Sequence, residues 1–341
     1  MLLTLRFIYE NYGKSKPKSV GAFIILLTRE TRKMGNHASK LLPAAVFAVI
    51  IAFALAIALS ERANASVIDL GAAGQFAVLA LNGGIDDSGP FTSPANVSGD
   101  VGIASPGQQF QASGSVQYNG HVYLHSGDTY NSSAPGVPQP TTGPAVDAFL
   151  GQTRTDALNG SAMATLLGQN PTATYGTIST NFSITENSQG SYVFNLQGID
   201  FSGGKTLTLS APAGSSFVLN ISTTFKLTTG SILLGGGLHA TDVLYNYTGV
   251  ADVQFSGGGN ASVVYGTILA PNATIGLHPG AVIGSIIGSA VTMSSGAQVI
   301  GVIPEVTPSS VIFGFLGLVV AVASRRAIGR QPQRARARKH F

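Results

Sequence analysis

Gly266-Thr267-Ile268-Leu269 and Gly284-Ser285-Ile286-Ile287 carry one pattern eighteen residues apart, and Gly230-Ser231-Ile232-Leu233 stands thirty-six residues before the first of them. A fainter copy, Gly301-Val302-Ile303, follows seventeen residues after the second. A period this short cannot hold a helical hairpin. It suits one coil of a β-helix, in which three short strands are joined by turns and pair with the coils above and below. The spacing predicts that Ile232, Ile268, Ile286 and Ile303 stack in one internal ladder, with strands ~4.8 Å apart. Such a stack would make a chain with 43 glycines rigid. A β-sandwich with fortuitous spacing is the alternative.

The flanking sequence extends the strand pattern. Lys205-Thr206-Leu207-Thr208-Leu209 alternates with period two, and Phe217 to Ile221, Val243 to Tyr247 and Ser262 to Tyr265 follow between glycine-rich turns. Residues 66 to about 142 read as further short strands, and the proline-rich stretch from Ser132 to Pro144 as a linker or surface loop. Pro144 suits the first turn of a helix running from Ala145 to about Leu158 and resuming to Leu167 after Asn159-Gly160. Val146, Phe149, Leu150, Ala157 and Leu158 fall near one face at helical spacing, so this helix should pack along a larger body.

Charge separates three regions. The chain is basic overall, with a net charge of +4 and pI 9.3, yet residues 66–303 hold only Arg154, Lys205 and Lys226 against eleven acids. A segment this acidic does not bind phosphate backbones, which need clustered Lys and Arg. Cysteine is absent, which excludes disulfides, thiolate catalysis and Cys-ligated zinc.

The basic residues flank two apolar runs. Leu41 to Leu59 has no charge, follows Lys40 and precedes Ala63-Asn64-Ala65, a small-x-small site where a signal peptidase would cut before Ser66. An uncleaved N-terminal anchor is the competing reading, because the run is long for a signal peptide. Residues 1–33 fit neither scheme, and Met34 would open a normal signal. At the other end Ile303-Pro304-Glu305 precedes the apolar run from Val311 to Ala323, then Arg325-Arg326 and a basic tail. That layout resembles the PEP-CTERM signal of bacterial exosortase substrates, although Val306 stands where the usual Val-Pro-Glu-Pro motif has its second proline. An ordinary C-terminal anchor is the alternative. The expected domains are 1–65, an extension and signal peptide; 66–303, the β domain; and 304–341, the sorting signal with its membrane helix.

Few residues invite chemistry. Gly203-Gly204-Lys205-Thr206 ends like a phosphate-binding loop but is followed by a strand rather than a helix, so a plain turn is expected. His121 and His125 flank a strand-like triplet, which would hold the rings ~13 Å apart and discourage a shared metal. The acids are scattered except Asp86-Asp87, expected in a turn, and no Gly-x-Ser-x-Gly elbow exists. No cofactor and no metal are expected.

Leu70-Gly71-Ala72-Ala73-Gly74-Gln75-Phe76-Ala77-Val78-Leu79-Ala80, Val97-Ser98-Gly99-Asp100-Val101-Gly102 and Tyr265-Gly266-Thr267-Ile268-Leu269-Ala270 resemble motifs of the ice-binding-like (DUF3494) family. They are also similar to the choice-of-anchor A adhesive domains of bacterial surface proteins. The resemblance implies a right-handed β-helix with one helix along its side. Ice-binding members of that family use a β face repeating Thr, Ser and Ala, for which Thr206, Thr208, Thr267, Thr274 and Ser285 are the candidates here; ordinary β propensity also favours threonine on strands. The leading expectation is an exported, envelope-anchored, non-catalytic structural and adhesive surface protein. Its partners would be an exosortase-type enzyme, the membrane and an exopolysaccharide. Ice binding is the second expectation and a carbohydrate-active β-helix enzyme the third.

Overall fold

Two parallel sheets hold the strands of the computed structural model, which describes residues 68–89, 96–257, 262–294 and 296–302. Four strands are long enough to turn a corner: Ser191–Ser202, Ser216–Thr228, Thr267–His278 and Ile286–Ser294. Register shifts between Leu196 and Gly198 and between Ala270 and Thr274 mark the bends. The 13-stranded sheet therefore covers two sides of a solenoid, and the separate 8-stranded sheet closes the third. The described residues are mainly β, with parallel pairing and one long helix among them.

The coils are not stacked in chain order. Phe76–Ala80 pairs on one edge with Ile286–Ser294, through Val78 and Ile286, and on the other with Asp100–Ile103. The first coils thus extend the stack beyond the last one. The chain then returns along the outside as helix α1 (Pro144–Leu167) and starts the far end at Ala173–Ile178. At ~1.5 Å per residue the 24-residue helix spans about seven strand spacings of ~4.8 Å, which is what the return journey requires. The proline-rich stretch before the helix is part of this body: Ala134 and Val137 are buried, and Gly136 and Thr141 make parallel bridges to Gln117 and Tyr123.

Each strand alternates, sending one set of side chains into the lumen and the other outward. The lumen is filled by aliphatic and aromatic side chains, among them the edge-to-face pairs Phe194 with Phe217 and Phe225 with Phe255, each 5.1 Å between centroids. A second buried cluster lies between sheet and helix, where Leu79, Val218, Leu244, Leu269 and Ile287 meet Leu150, Ala157 and Ala164. Burying each such aliphatic side chain contributes roughly 1.5–3 kcal/mol.

The isoleucine ladder is shorter than its spacing suggested. Ile268 and Ile286 do stack, with Tyr245 and Val78 beyond them. Ile232 belongs to the other sheet, paired with Leu207 and Val264, and Ile303 lies outside the described residues. What repeats at Gly266 and Gly284 is a corner. Both glycines have positive φ, 132° and 144°, and a Cβ on Gly284 would run into the carbonyl oxygen of Gly266. Gly230 sits at a different corner, before Ser231–Gly235, so the thirty-six-residue match compares two sides of the solenoid. Neighbouring coils are longer than eighteen residues elsewhere; Asn195, Asn220 and Asn246 stack at offsets of 25 and 26.

The helix is continuous through Asn159-Gly160. Leu158, expected on the packed face, is 37% exposed, and the buried stripe runs instead through Leu150, Thr153, Ala157, Gly160, Ser161 and Ala164. Small residues let the helix approach closely: a Cβ on Gly160 would clash with Leu70. Asp86 and Asp87, expected in a turn, lie in the strand Ile85–Gly89, Asp86 outward and Asp87 inward. The predicted cleavage residues Ala63, Ala65 and Ser66 and the sorting residues Ile303, Pro304, Glu305, Arg325 and Arg326 lie outside the described residues. Among the described residues no helix is long and apolar enough to cross a membrane.

Candidate functional face

With one side covered by α1, two remain to meet solvent, and their outward columns differ in chemistry. On the second side Ser202 pairs with Thr228, Thr228 with Ser256 and Ser256 with His278, and further along Ser294 pairs with Ser88 and Ser88 with Ser113. His278 bridges this hydroxyl column, its Nδ1 2.9 Å from Ser294 Oγ and its Nε2 3.2 Å from Thr292 Oγ1. Burial holds the His278 pKa below its ordinary value while Asp86 pulls the other way. Beside this column stand Asp200, Lys226, Gln254, Asp86 and Gln111, so the second side is charged.

The third side has no charged or histidine side chain at any outward strand position among the described residues. One column runs from Thr206 through Ser231, Val263 and Ala281 to Gln298. A second has Ser183, Thr208 and Leu233 in succession, then Tyr265, Ile283, Ile300, Ser98 and Asn119. Leu233 and Ile300 are 40% and 45% exposed, which makes this side partly apolar as well as uncharged. Its positions repeat at ~4.8 Å across strands and about 6.7 Å along them.

The five threonine and serine candidates do not share a surface. Thr206 and Thr208 lie on the third side. Thr274 faces outward on the second, in register with Ala290. Thr267 is on the helix side, opposite Leu244 in a niche with Ile68 and Asp242, and Ser285 is buried at a corner. The equivalence of Thr267 and Ser285 in the sequence pattern thus reflects corner geometry rather than a common exposed row.

The other candidates resolve into local structure. Gly203 and Gly204 form a turn with φ of 67° and 74°. His121 and His125 have separate partners: His121 Nδ1 lies 3.2 Å from Asp100, and His125 Nδ1 3.5 Å from Asp147 at the start of α1. Asp147 accepts from the Ser126 hydroxyl and amide, bonds that hold its carboxyl below the usual range. Among the described residues no three His, Asp or Glu side chains gather as a metal site.

Residues 64–300 match the profile of a family described as an ice-binding-like adhesive domain, and the chain belongs to that family. Solved structures similar to it include an ice-binding protein with antifreeze activity from an Arctic yeast, at 15% identity and a TM-score of 0.47, covering 70% of this chain and 97% of that one. Others are an ice-binding protein of the Antarctic ascomycete Antarctomyces psychrotrophicus, at 23% identity, TM-score 0.43 and coverages of 68% and 97%, and the DUF3494 domain of a Shewanella frigidimarina ice-binding protein, at 19%, 0.46, 68% and 96%. Among curated proteins none matches significantly. These findings correct the order of the functional expectations. The family model carries the ice-binding-like description, so the envelope-anchored structural and adhesive role placed first gives way to the ice-binding reading placed second.

Proposed function

We propose that this protein binds ice or a comparably ordered water surface through the third side of its solenoid, without catalysis. The observation that carries the proposal is the charge-free, regularly spaced outward array of Thr206, Thr208, Ser231 and Ala281 with its apolar neighbours, in a chain of an ice-binding-like family. A fixed charge orients nearby water strongly around itself. Hydroxyl and methyl groups on a rigid lattice instead leave water free to adopt an ordered layer that can merge with a crystal. The second side, with Asp86, Asp200 and Lys226 in its columns, lacks that property.

Two further readings accompany it. The coils are inferred to wind right-handed, as parallel crossover connections do in nearly all proteins. Export is inferred from the uncharged run 41–59 and the small-x-small site at Ala63-Asn64-Ala65, and handling by an exosortase-type enzyme from Pro304, Glu305, Arg325 and Arg326. Replacing Pro304 and Glu305 together tests the latter, since processing should stop.

Growing ice slowly from a solution of the purified protein tests the main proposal. Incorporation into the solid supports it, and exclusion into the residual liquid, as for an ordinary soluble protein, refutes it.

A further inference from the structure

We infer that Asp87 is a pH-sensitive latch on the seam where the first coils of the chain dock on the last. The seam joins segments from opposite ends of the domain without a covalent link: Val78 pairs with Ile286, Asp87 with Met293 and Val97 with Val299. Asp87 occupies an inward position of the seam strand Ile85–Gly89, with Asp86 and Ser88 pointing out, and is completely buried. Its Oδ2 accepts from the Tyr118 hydroxyl at 3.0 Å. Its Oδ1 has no hydrogen-bond partner among the described residues.

Among the described residues the surroundings offer no counter-charge. Tyr118 stands across the lumen, its ring edge-to-face with Phe110 of the next coil on the Asp87 side, on which Tyr130 stacks. Met293 and Ala112 flank Asp87 along the stack, and the helix-side strands contribute Val78, Ala80, Val101 and Ile103 to the same core. The charged neighbour that registers is Asp86, a like charge. A neutral carboxylic acid is tolerable here, whereas an ionised one is far more costly, and the cheapest relief is entry of water between the coils. Burial pushes the Asp87 carboxyl up from 3.8 to about 7, against the Tyr118 hydrogen bond and with help from Asp86. The folded-state value lies above the unfolded one. Seam stability is therefore full below about pH 4 and is lost as pH rises towards 7, after which it levels off. This inference does not depend on whether the protein binds ice.

Hydrogen exchange of the full-length protein, expressed as protection factors from pH 5 to pH 8.5, tests it. Protection of amides in 85–89 and 286–294 should fall by about tenfold per pH unit up to about pH 7, while amides in 216–228 change little. Asp87→Asn and Asp87→Leu should each abolish the seam-specific fall; two variants guard against one failing to fold. A seam whose protection tracks that of 216–228 at every pH, or whose fall persists in a folded Asp87 variant, overturns the proposal.

Discussion

Asn220 donates from Nδ2 to the carbonyl oxygen of Ala164 at 2.9 Å, tying the last turn of the helix to the strand Ser216–Thr228. Asn195 above it bonds the Gly168 carbonyl at 2.7 Å, and Asn246 below donates to Asn220 Oδ1 at 2.8 Å and meets Ser161. The three form a ladder that gives the Ala164 carbonyl a second donor beside the Gly168 amide and satisfies the Gly168 carbonyl just past the helix end. Where the ladder ends, the same outward column becomes Leu269, Ile287 and Leu79, and packing replaces hydrogen bonding.

Asn220→Leu is therefore expected to destabilise by about 1–3 kcal/mol, because it removes three hydrogen bonds at once, those that Asn220 donates to the Ala164 carbonyl and Asn195 Oδ1 and the one it accepts from Asn246. Equilibrium urea unfolding with an unchanged slope would read this directly. A loss below about 0.5 kcal/mol would mean that the ladder is incidental.

Corner glycines give a paired prediction. Gly203→Ala meets nothing within 4 Å at φ 67°, so only backbone strain of about 1–2 kcal/mol applies. Gly284→Ala adds a collision with the Gly266 carbonyl and should cost clearly more. Equal thermal shifts for the two would contradict the stacked-corner account.

Tyr118→Phe removes the hydrogen bond that restrains the Asp87 pKa, so the Asp87 value should rise further. For an acid raised on folding, stability is present below the unfolded value and lost through the folded one, so the loss should extend to higher pH than in the unaltered protein. Denaturant midpoints between pH 5 and pH 9 would show it; an unmoved transition would count against the assignment.

Much of this architecture was legible in the chain, and the failures have physical causes. Alternation in Lys205 to Leu209 and the helix-start proline at Pro144 are local signals, and local signals carried through. The Gly-x-Ile-Leu repeat was a true sign of coils but confused two corners, since a glycine is demanded wherever the backbone turns tightly against the next coil. The docking of Val78 on Ile286 had no sequence signal, because strands that pair from opposite ends of a domain share only apolar character. The buried side of α1 was misread at Leu158 because close approach selects Gly160, Ser161 and Ala164, which look neutral in a hydrophobic pattern. Of the sequence candidates, Thr206 and Thr208 alone lie on the proposed face. Ala281, Ile283 and Ile300 became visible through register, which sets neighbours across strands seventeen or more residues apart.

Thermal hysteresis of the purified protein, measured beside Thr208→Tyr and Ala281→Tyr on the third side and Ser88→Tyr on the second, tests the central claim most directly. The account predicts a freezing-point gap for the unaltered protein that Ser88→Tyr keeps and that each third-side tyrosine reduces severalfold. No gap at all, or a gap removed by Ser88→Tyr and untouched by the third-side changes, would contradict it.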